Sequence, residues 1–121
     1  MKPELSLIVL RSLDQNKLTQ FYESTLGFKF HSMKNQGEDK NLHGDFHNVA
    51  QIGGFRLEIY QNRGGMIPMD DIGFRVDSID RIITEKLQGK HVKTFPENTE
   101  YGRHAVIWDT DNRKVHLYED R

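Results

Sequence analysis

The most constraining feature of this 121-residue chain is that its sequence patterns occur twice. An apolar run that ends in arginine, Ile8–Arg11, returns as Ile72–Arg75, at an offset of 64 residues (8 to 72). A run that ends in tyrosine, Leu57–Tyr60, returns as Val115–Tyr118, at an offset of 58 (57 to 115). The duplication predicts two similar modules. If the copies pack together, residues at matching positions converge on a shared cleft.

Each copy also carries the pattern of an amphipathic helix. Apolar residues recur with the spacing of one helix face at Leu18, Phe21, Tyr22 and Leu26, and again at Ile79, Ile82, Ile83 and Leu87. The offset between these two stripes is 61 (18 to 79). Asp14 or Asn16 can cap the first helix, and Gly27 can end it. Asp77 or Ser78 can cap the second helix.

The remaining periodic segments predict strands. They cover residues 5–11, 28–33, 42–52 and 55–61 in the first copy, and 71–76, 91–95, 104–108 and 114–119 in the second. Residues 34–41 predict a polar loop, Gly53-Gly54 a hairpin, and residues 109–112 a tight turn. Each copy is thus a predicted βαβββ module. We expect one α+β domain with modules at about 4–62 and 69–121.

The composition argues against several classes of protein. The 17 basic and 18 acidic residues are interspersed and give a net charge of -1, which is not the balance of a nucleic-acid binder. There is no cysteine, which excludes disulfides, thiolate metal sites and cysteine nucleophiles. No apolar run approaches the roughly 20 residues of a membrane span, and the N-terminus enters a strand without a signal-peptide core. We expect a cytoplasmic protein that binds neither membrane nor nucleic acid.

Side chains alternate between the two faces of a strand, so each strand divides into helix-covered residues and residues on the other face. In the last strands, the face away from the helix receives Arg56, Glu58 and Tyr60, and in the second copy Lys114, His116 and Tyr118. In the first strands it receives Leu7, Val9 and Arg11, and in the second copy Asp71, Gly73 and Arg75. A polar face on a curved sheet is a candidate pocket. Its arginines would favour a ligand with a carboxylate, phosphonate or phosphate group.

Taken in order, these motifs resemble the vicinal oxygen chelate superfamily, which includes glyoxalase I, bleomycin- and fosfomycin-resistance proteins, extradiol dioxygenases and methylmalonyl-CoA epimerase. The resemblance rests on Phe21-Tyr22 with Leu26-Gly27-Phe28, Leu57–Tyr60, Tyr101-Gly102, and residues 109–112 leading into Val115–Glu119. It implies a glyoxalase-like fold, in which two paired βαβββ modules form a U-shaped mixed sheet around a cleft. It also implies a small-molecule ligand and a homodimer.

The resemblance further implies a divalent metal, held by one residue from the first strand and one from the last strand of each module. The matching positions are Leu7, Glu58, Asp71 and His116. Leu7 cannot be a ligand, which leaves the other three as a predicted site for Ni, Zn, Mn or Fe. The place of Glu58 in the glyoxalase branch also suggests it as a catalytic base.

Contacts with the ligand are predicted for Arg56, Tyr60, Arg75, Tyr118 and His47. His47 also ends the motif His43-x-Asp45-x-His47, which would set three potential metal ligands along one strand face. Because such neighbours lie about 7 Å apart, a solvent-facing row is the preferred interpretation of this motif. His31, His91 and His104 are interpreted as surface or structural residues.

The leading functional interpretation is a lyase or isomerase that acts on a vicinal-oxygen or carbonyl substrate, with the metal at Glu58, Asp71 and His116. The alternative is a protein that sequesters a small toxic molecule without chemistry, as the bleomycin-resistance branch does, and Leu7 favours it. A third interpretation, an interaction or regulatory module with a vestigial cleft, predicts no stabilisation by any ligand. Dioxygenase chemistry is least favoured, because it needs two histidines and one carboxylate.

Overall fold

The computed structural model describes residues 2–67 and 70–120. They form two compact units, here called module 1 (up to residue 67) and module 2 (from residue 70). Each unit contains a four-stranded mixed sheet with helices, so the predicted α+β class built from two such modules is confirmed. Among the described residues, no helix has the length and apolar content that crossing a membrane requires.

Module 1 keeps the predicted order with one added helix. Its elements are β1 (Leu7–Ser12), α1 (Gln15–Leu26), β2 (His31–Lys34), α2 (Glu38–His43), β3 (Phe46–Ile52) and β4 (Phe55–Gln61). The strand order in the sheet is β1-β4-β3-β2. The edge strand β1 is parallel to its neighbour β4, and the other neighbouring strands are antiparallel. The crossover through α1 is what allows the first and last strands to run in parallel.

Module 2 repeats this topology. Its elements are β5 (Ile72–Arg75), α3 (an α-helix over Ile79–Arg81 continued by a π-helix over Ile82–Lys86), β6 (Val92–Thr99), β7 (Gly102–Trp108) and β8 (Lys114–Glu119). The strand order is β5-β8-β7-β6, again with one parallel pair, β5 and β8. The registers also match, because Val9 pairs with Glu58 in module 1 and Gly73 pairs with His116 in module 2.

Helix α1 begins and ends as its sequence predicts. The Asp14 carboxylate accepts a hydrogen bond from the backbone N–H of Lys17 (3.1 Å), and Gly27 ends the helix in the left-handed conformation with φ of 74°. Leu18 and Tyr22 are fully buried against the sheet, as are Leu57 and Ile59 on β4. The remaining core residues of module 1 include Leu10, Phe21, Val49 and Ala50.

The helix caps correct the alignment of the two copies. Ser78 caps α3 by accepting from the backbone N–H of Arg81 (3.2 Å), so it corresponds to Asp14. The first helical residues, Gln15 and Ile79, then also correspond. Their offset is 64 residues, the same as that of the first strands. The predicted pairing of Leu18 with Ile79 is therefore wrong by about one helical turn. An apolar i, i+3, i+4 pattern repeats every turn, so spacing alone does not distinguish the two alignments.

The prediction of a loop at 34–41 followed by a strand from 42 holds for residues 35–37 and is wrong from residue 38. Glu38–His43 form α2, and β3 begins only at Phe46. Glu38 and Asp39 lie in the first turn of α2 and Lys40 in its last turn, which is the charge order that stabilises a helix dipole. Because His43 lies on a helix, the predicted row of His43, Asp45 and His47 along one strand does not exist.

The acidic segment at 109–112 is a turn, as predicted. Asp109 accepts hydrogen bonds from the backbone N–H groups of Asp111 (2.8 Å) and Arg113 (2.9 Å). Its second oxygen accepts from the Arg113 guanidinium (2.7 Å), and the two side chains are only 0% and 2% exposed. Burial raises the pKa of Asp109, although its hydrogen bonds with Arg113 and Asp111 oppose that rise. This buried pair holds β7 against β8.

We expect Arg113→Met to lower the free energy of unfolding by about 3–5 kcal/mol, because it leaves the buried Asp109 carboxylate without its charged partner. Urea unfolding measures the loss. Arg81→Met removes an exposed pair with Glu85 (3.4 Å) and serves as the control, with an expected change below about 1 kcal/mol. Equal effects of the two substitutions would contradict the structural role assigned to Arg113.

Candidate functional site

Each sheet buries one face under its helix and leaves a helix-free face. Strand alternation and register place several matched positions on that face, and five of them frame the polar groups. In module 1 these positions hold Leu7, Val9, His47, Glu58 and Tyr60, and in module 2 they hold Asp71, Gly73, His104, His116 and Tyr118. The duplication therefore sets a histidine and a tyrosine at the same places in both modules, while the other three positions differ.

In module 1 the helix-free face is centred on Glu58. Its Oε1 accepts a hydrogen bond from the Tyr60 hydroxyl (3.1 Å), and its Oε2 lies 3.2 Å from Nε of Arg56. The Nε2 atom of His47 lies 3.7 Å from Oε1, beyond hydrogen-bond length. Four residues predicted for the site, Arg56, Glu58, Tyr60 and His47, thus form one connected cluster.

A hydrogen-bonded chain fixes the orientation of His47. The Asn35 side-chain amide donates to the carbonyl of Gly44 (2.9 Å), which identifies its other atom as the oxygen. That oxygen lies 2.6 Å from Nδ1 of His47 and must accept from it. The Nε2 atom of the neutral ring is then an acceptor on the side of Glu58. Sequence reasoning missed Asn35, which lies in the segment predicted as a loop.

Burial sets the protonation of this cluster. Burial, the Glu58 charge and the hydrogen bond to Glu58 raise the pKa of Tyr60 to about 12. Burial also lowers the pKa of His47, an effect larger than the opposing influence of the Glu58 and Asp39 charges. At neutral pH Tyr60 is therefore a phenol and His47 a neutral imidazole.

In module 2 the corresponding position holds His116 in a chain of three residues. Its Nε2 lies 2.8 Å from Oδ2 of Asp71, and its Nδ1 lies 2.9 Å from Nε2 of His104. A carboxylate only accepts, so Nε2 of His116 carries the proton of that hydrogen bond. The His116 hydrogen bond lowers the pKa of Asp71. Burial, followed by the His116 charge, lowers the pKa of His104.

Three rings of module 2 form a stack on this face. The His104 ring lies 4.5 Å from the Tyr118 ring and 5.1 Å from the His116 ring, at interplanar angles of 28° and 19°. In module 1 the pair His47 and Tyr60 stacks at 4.3 Å and 7°. Gly73 lies directly beside the stack in module 2, because a Cβ added there would lie 3.3 Å from Cβ of His116.

Sequence reasoning interpreted His104 as surface or structural, whereas it corresponds to His47 and contacts two predicted site residues. The duplication contained the signal, because β3 and β7 each carry a histidine beside the tyrosine of the next strand. His47 stacks on Tyr60 as His104 stacks on Tyr118. The β7–β8 loop is longer than the Gly53-Gly54 hairpin. The two histidines therefore lie at different sequence distances from the last-strand motif, and a fixed offset does not align them.

Comparison with known proteins identifies this architecture. No protein-family model and no curated protein matches the chain, but solved structures do. A glyoxylase/bleomycin resistance protein/dioxygenase domain from Frankia sp. EAN1pec has a TM-score of 0.77 at 17% identity, with 100% of both chains covered. The chain has the glyoxalase/bleomycin resistance/dioxygenase fold. The predicted resemblance to the vicinal oxygen chelate superfamily is thereby confirmed at the level of the fold.

Two further proteins with this fold differ in what they bind. TnmS3 from Streptomyces sp. CB03234, an antibiotic binding protein, has a TM-score of 0.74 at 23% identity and covers 99% of this chain and 98% of its own. A mutant of the fosfomycin resistance protein FosX from Listeria monocytogenes is complexed with Mn(II) and a dihydroxypropylphosphonic acid. It has a TM-score of 0.70 at 24% identity and covers 98% of this chain and 93% of its own.

In module 2, Asp71 and His116 are spaced as two ligands of one metal ion would be, but two donors do not make a metal site. The 2.8 Å between His116 Nε2 and Asp71 Oδ2 is close to the roughly 3 Å between adjacent ligands that each lie about 2.1 Å from one ion. Leu7 has no donor atom, and Glu58 is already paired with Arg56. Within residues 2–67 and 70–120, no three His, Asp or Glu side chains form a group that could hold an ion. The predicted set of Glu58, Asp71 and His116 stays a prediction.

We expect Tyr60→Phe to make the free energy of unfolding less dependent on alkaline pH. The pKa of Tyr60 is about 12 in the folded protein, against about 10 in an unfolded chain, so unfolding releases its proton. The stabilisation is complete below about pH 10 and is lost as the pH rises towards about 12. Urea unfolding from about pH 8 to about pH 11 measures the difference. Tyr101→Phe, at an exposed position, is the control, and identical pH profiles of Tyr60→Phe and wild type would disprove the assignment.

Proposed function

We propose that this protein binds a planar, largely neutral small molecule on its helix-free faces and performs no chemistry on it. One observation carries the proposal: Glu58 in module 1 and His116 in module 2 are each engaged by two protein partners, while the apolar groups and rings beside them remain partly exposed. A site that acts on its substrate needs polar groups that are free to reach it. A site that only retains a ligand needs accessible apolar surface and a few fixed polar contacts.

The exposed part of the module 1 face is apolar. Leu7 is 38% exposed, Val9 45% and Met33 48%, and Met33 pairs with His47 across β2 and β3. Covering such side chains with an apolar ligand contributes about 25 cal/mol for each Å² removed from water. Glu58 and Tyr60 lie beside this surface as a single acceptor and donor pair. Module 1 therefore suits a ligand that is apolar except for one or two neutral polar groups.

The module 2 face offers rings. His104, His116 and Tyr118 are each only partly buried, and their planes lie within 28° of one another. Gly73 leaves their edges uncovered where module 1 has Val9. Stacking on such a platform favours a planar conjugated molecule.

The charges support a neutral ligand rather than the anionic one predicted from the sequence. Arg56 is paired with Glu58, and Arg75 is paired with Asp120. Each guanidinium is thus balanced by a carboxylate before any ligand arrives, so neither gives its face a net positive charge. The likeness of the fold to an antibiotic binding protein agrees with a binding role.

We expect Gly73→Val to abolish the binding of planar compounds. The new side chain would contact His116 and lie near Tyr118, whose Cε2 is 3.9 Å from the added Cβ, and would so cover the platform. Thermal shift and calorimetric titration with neutral naphthoquinone- and anthraquinone-type compounds measure the loss. Gly54→Val adds the same side chain in open space and is the control.

Tyr118→Leu removes one ring without adding bulk, and it tests the same proposal if Gly73→Val fails to fold. The proposal is rejected if no compound raises the melting temperature of the wild type. It is equally rejected if Gly73→Val and Tyr118→Leu both bind the compounds as the wild type does.

A metal-dependent lyase or isomerase is the second candidate, favoured by the spacing of Asp71 and His116. In this case Glu58, Asp71 and His116 would hold the ion, which would polarise a carbonyl oxygen of the substrate. Both oxygens of Glu58 are already engaged, by Tyr60 and by Arg56. To bind an ion or take a proton, Glu58 must first release one of these partners.

Metal content separates the two candidates. We expect untagged protein to contain no stoichiometric metal, even after incubation with Mn, Ni, Zn or Fe, because module 1 lacks a donor at Leu7. Elemental analysis of wild type, Glu58→Gln and His116→Ala measures it. Near-stoichiometric metal in wild type that disappears in both variants would replace the binder by the enzyme.

A further inference from the structure

A polar cavity lies in module 1, on the opposite side of the sheet from the helix-free face. Its volume is about 380 Å³, and its walls include Gln15, Ser32, Asp45, Phe46 and Asn48. Asn48 pairs with Ile59, whose side chain is buried under α1, so the cavity opens beside the first turn of that helix. None of the residues that form the helix-free cluster of Glu58 belongs to these walls.

The duplication provides an internal reference for this region. The three polar residues Gln15, Thr19 and Asn48 are buried in module 1. At the matching positions module 2 has Ile79, Ile83 and Ala105, which are buried and apolar. The fold therefore does not require polar groups here. Burying them costs about 1–3 kcal/mol for each group that lacks a partner, so their presence calls for an explanation.

Part of that explanation is a short hydrogen-bonded chain. The Thr19 hydroxyl donates to the Gln15 carbonyl (2.8 Å) and accepts from the Asn48 amide (2.8 Å), and the Asn48 oxygen accepts from Ser32 (3.1 Å). The side chains of Thr19 and Asn48 thereby have partners. They hold the wall of the cavity in a fixed arrangement.

Gln15 is the exception. It is only 9% exposed and lines the cavity, yet its side-chain amide makes no hydrogen bond with any of the described residues. Its backbone N–H is bonded to Gln61 (2.8 Å), so the residue is held in place while its carboxamide is left over. The carboxamide atoms themselves are accessible from the cavity, so their donor and acceptor are available to a ligand.

The other walls define what the carboxamide could recognise. The Phe46 ring is 48% exposed and offers a surface for stacking. His43 also lines the cavity and is held there by the hydrogen bond that its Nδ1 donates to the Gln61 carbonyl (2.9 Å). The Asp45 carboxylate disfavours an anion. A carboxamide pairs best with a group that has an N–H beside a C=O in one plane.

We propose that this cavity binds a neutral planar heterocycle with adjacent N–H and C=O groups, of the lactam or pyrimidine type. The carboxamide of Gln15 forms paired hydrogen bonds with that edge, and Phe46 stacks on the ring. The site is independent of the helix-free faces and of the function proposed for them.

Uracil is the probe, and two-dimensional amide NMR of the full chain is the measurement. In the wild type we expect saturable shifts at Gln15, Ser32, Phe46 and the side-chain amide of Asn48, with weak, millimolar-range affinity typical of so small a ligand. Gln15→Ile installs the residue of module 2 and should weaken binding by about tenfold or more, with no loss of stability. Gln15→Met removes the amide without β-branching and keeps the test valid if Gln15→Ile fails to fold.

Two controls locate the site. Gln20→Ile changes an exposed glutamine of α1 and should leave uracil binding unchanged. Gly73→Val should also leave it unchanged, which separates this proposal from the binder function. Benzoate, a planar anion, should bind more weakly than uracil. The proposal is overturned if uracil causes no saturable shift, if the shifts persist in both Gln15 variants, or if they are lost in Gly73→Val.

Discussion

Each module depends on the burial of one face of its sheet under a single helix. Leu18 and Tyr22 of α1 and Ile79 and Ile83 of α3 are almost wholly removed from water by this contact. Because side chains alternate along a strand, fixing the buried face also fixes which residues lie on the other face. A shift of one residue in register would bury Glu58 and His116 under the helices and expose Leu57 and Leu117. The composition of the helix-free faces is therefore a consequence of the core.

Duplication gave both modules the same frame, and substitution made their faces different. The first-strand and last-strand positions hold Leu7 and Glu58 in module 1, and Asp71 and His116 in module 2. In module 1 the Glu58 carboxylate is bonded to a guanidinium and a phenol. In module 2 the His116 imidazole is bonded to a carboxylate and a second imidazole. On the first strands module 1 is apolar at Leu7 where module 2 is polar at Asp71. Under the helices the opposite holds, because module 1 has the polar Gln15 where module 2 has the apolar Ile79. Comparing the copies thus separates what the fold requires from what one copy has acquired.

The errors made from the sequence have identifiable physical causes. The strands and caps were predictable because alternation, Asp14, Ser78 and Gly27 are local signals. The apolar stripes of the two helices were aligned with an error of one helical turn, because apolar spacing repeats every turn. That error concealed the correspondence of Gln15 with Ile79. Helix α2 was missed because its polar residues resemble those of a loop, although their charges follow the helix dipole. The predicted homodimer and the predicted three-residue metal site stay predictions.

The sequence by itself determined the duplication, the α+β class, the faces of the strands and the apolar position Leu7, because each depends on residue type and short-range period. Only the tertiary structure decided which polar side chains meet. Two examples are the contact of His104 with His116 and the chain from Gly44 through Asn35 to His47, which join residues that are far apart in the sequence. A third is the cavity beside Gln15, whose walls come from separate elements. Such contacts depend on cross-strand register and loop geometry, which a single sequence does not specify.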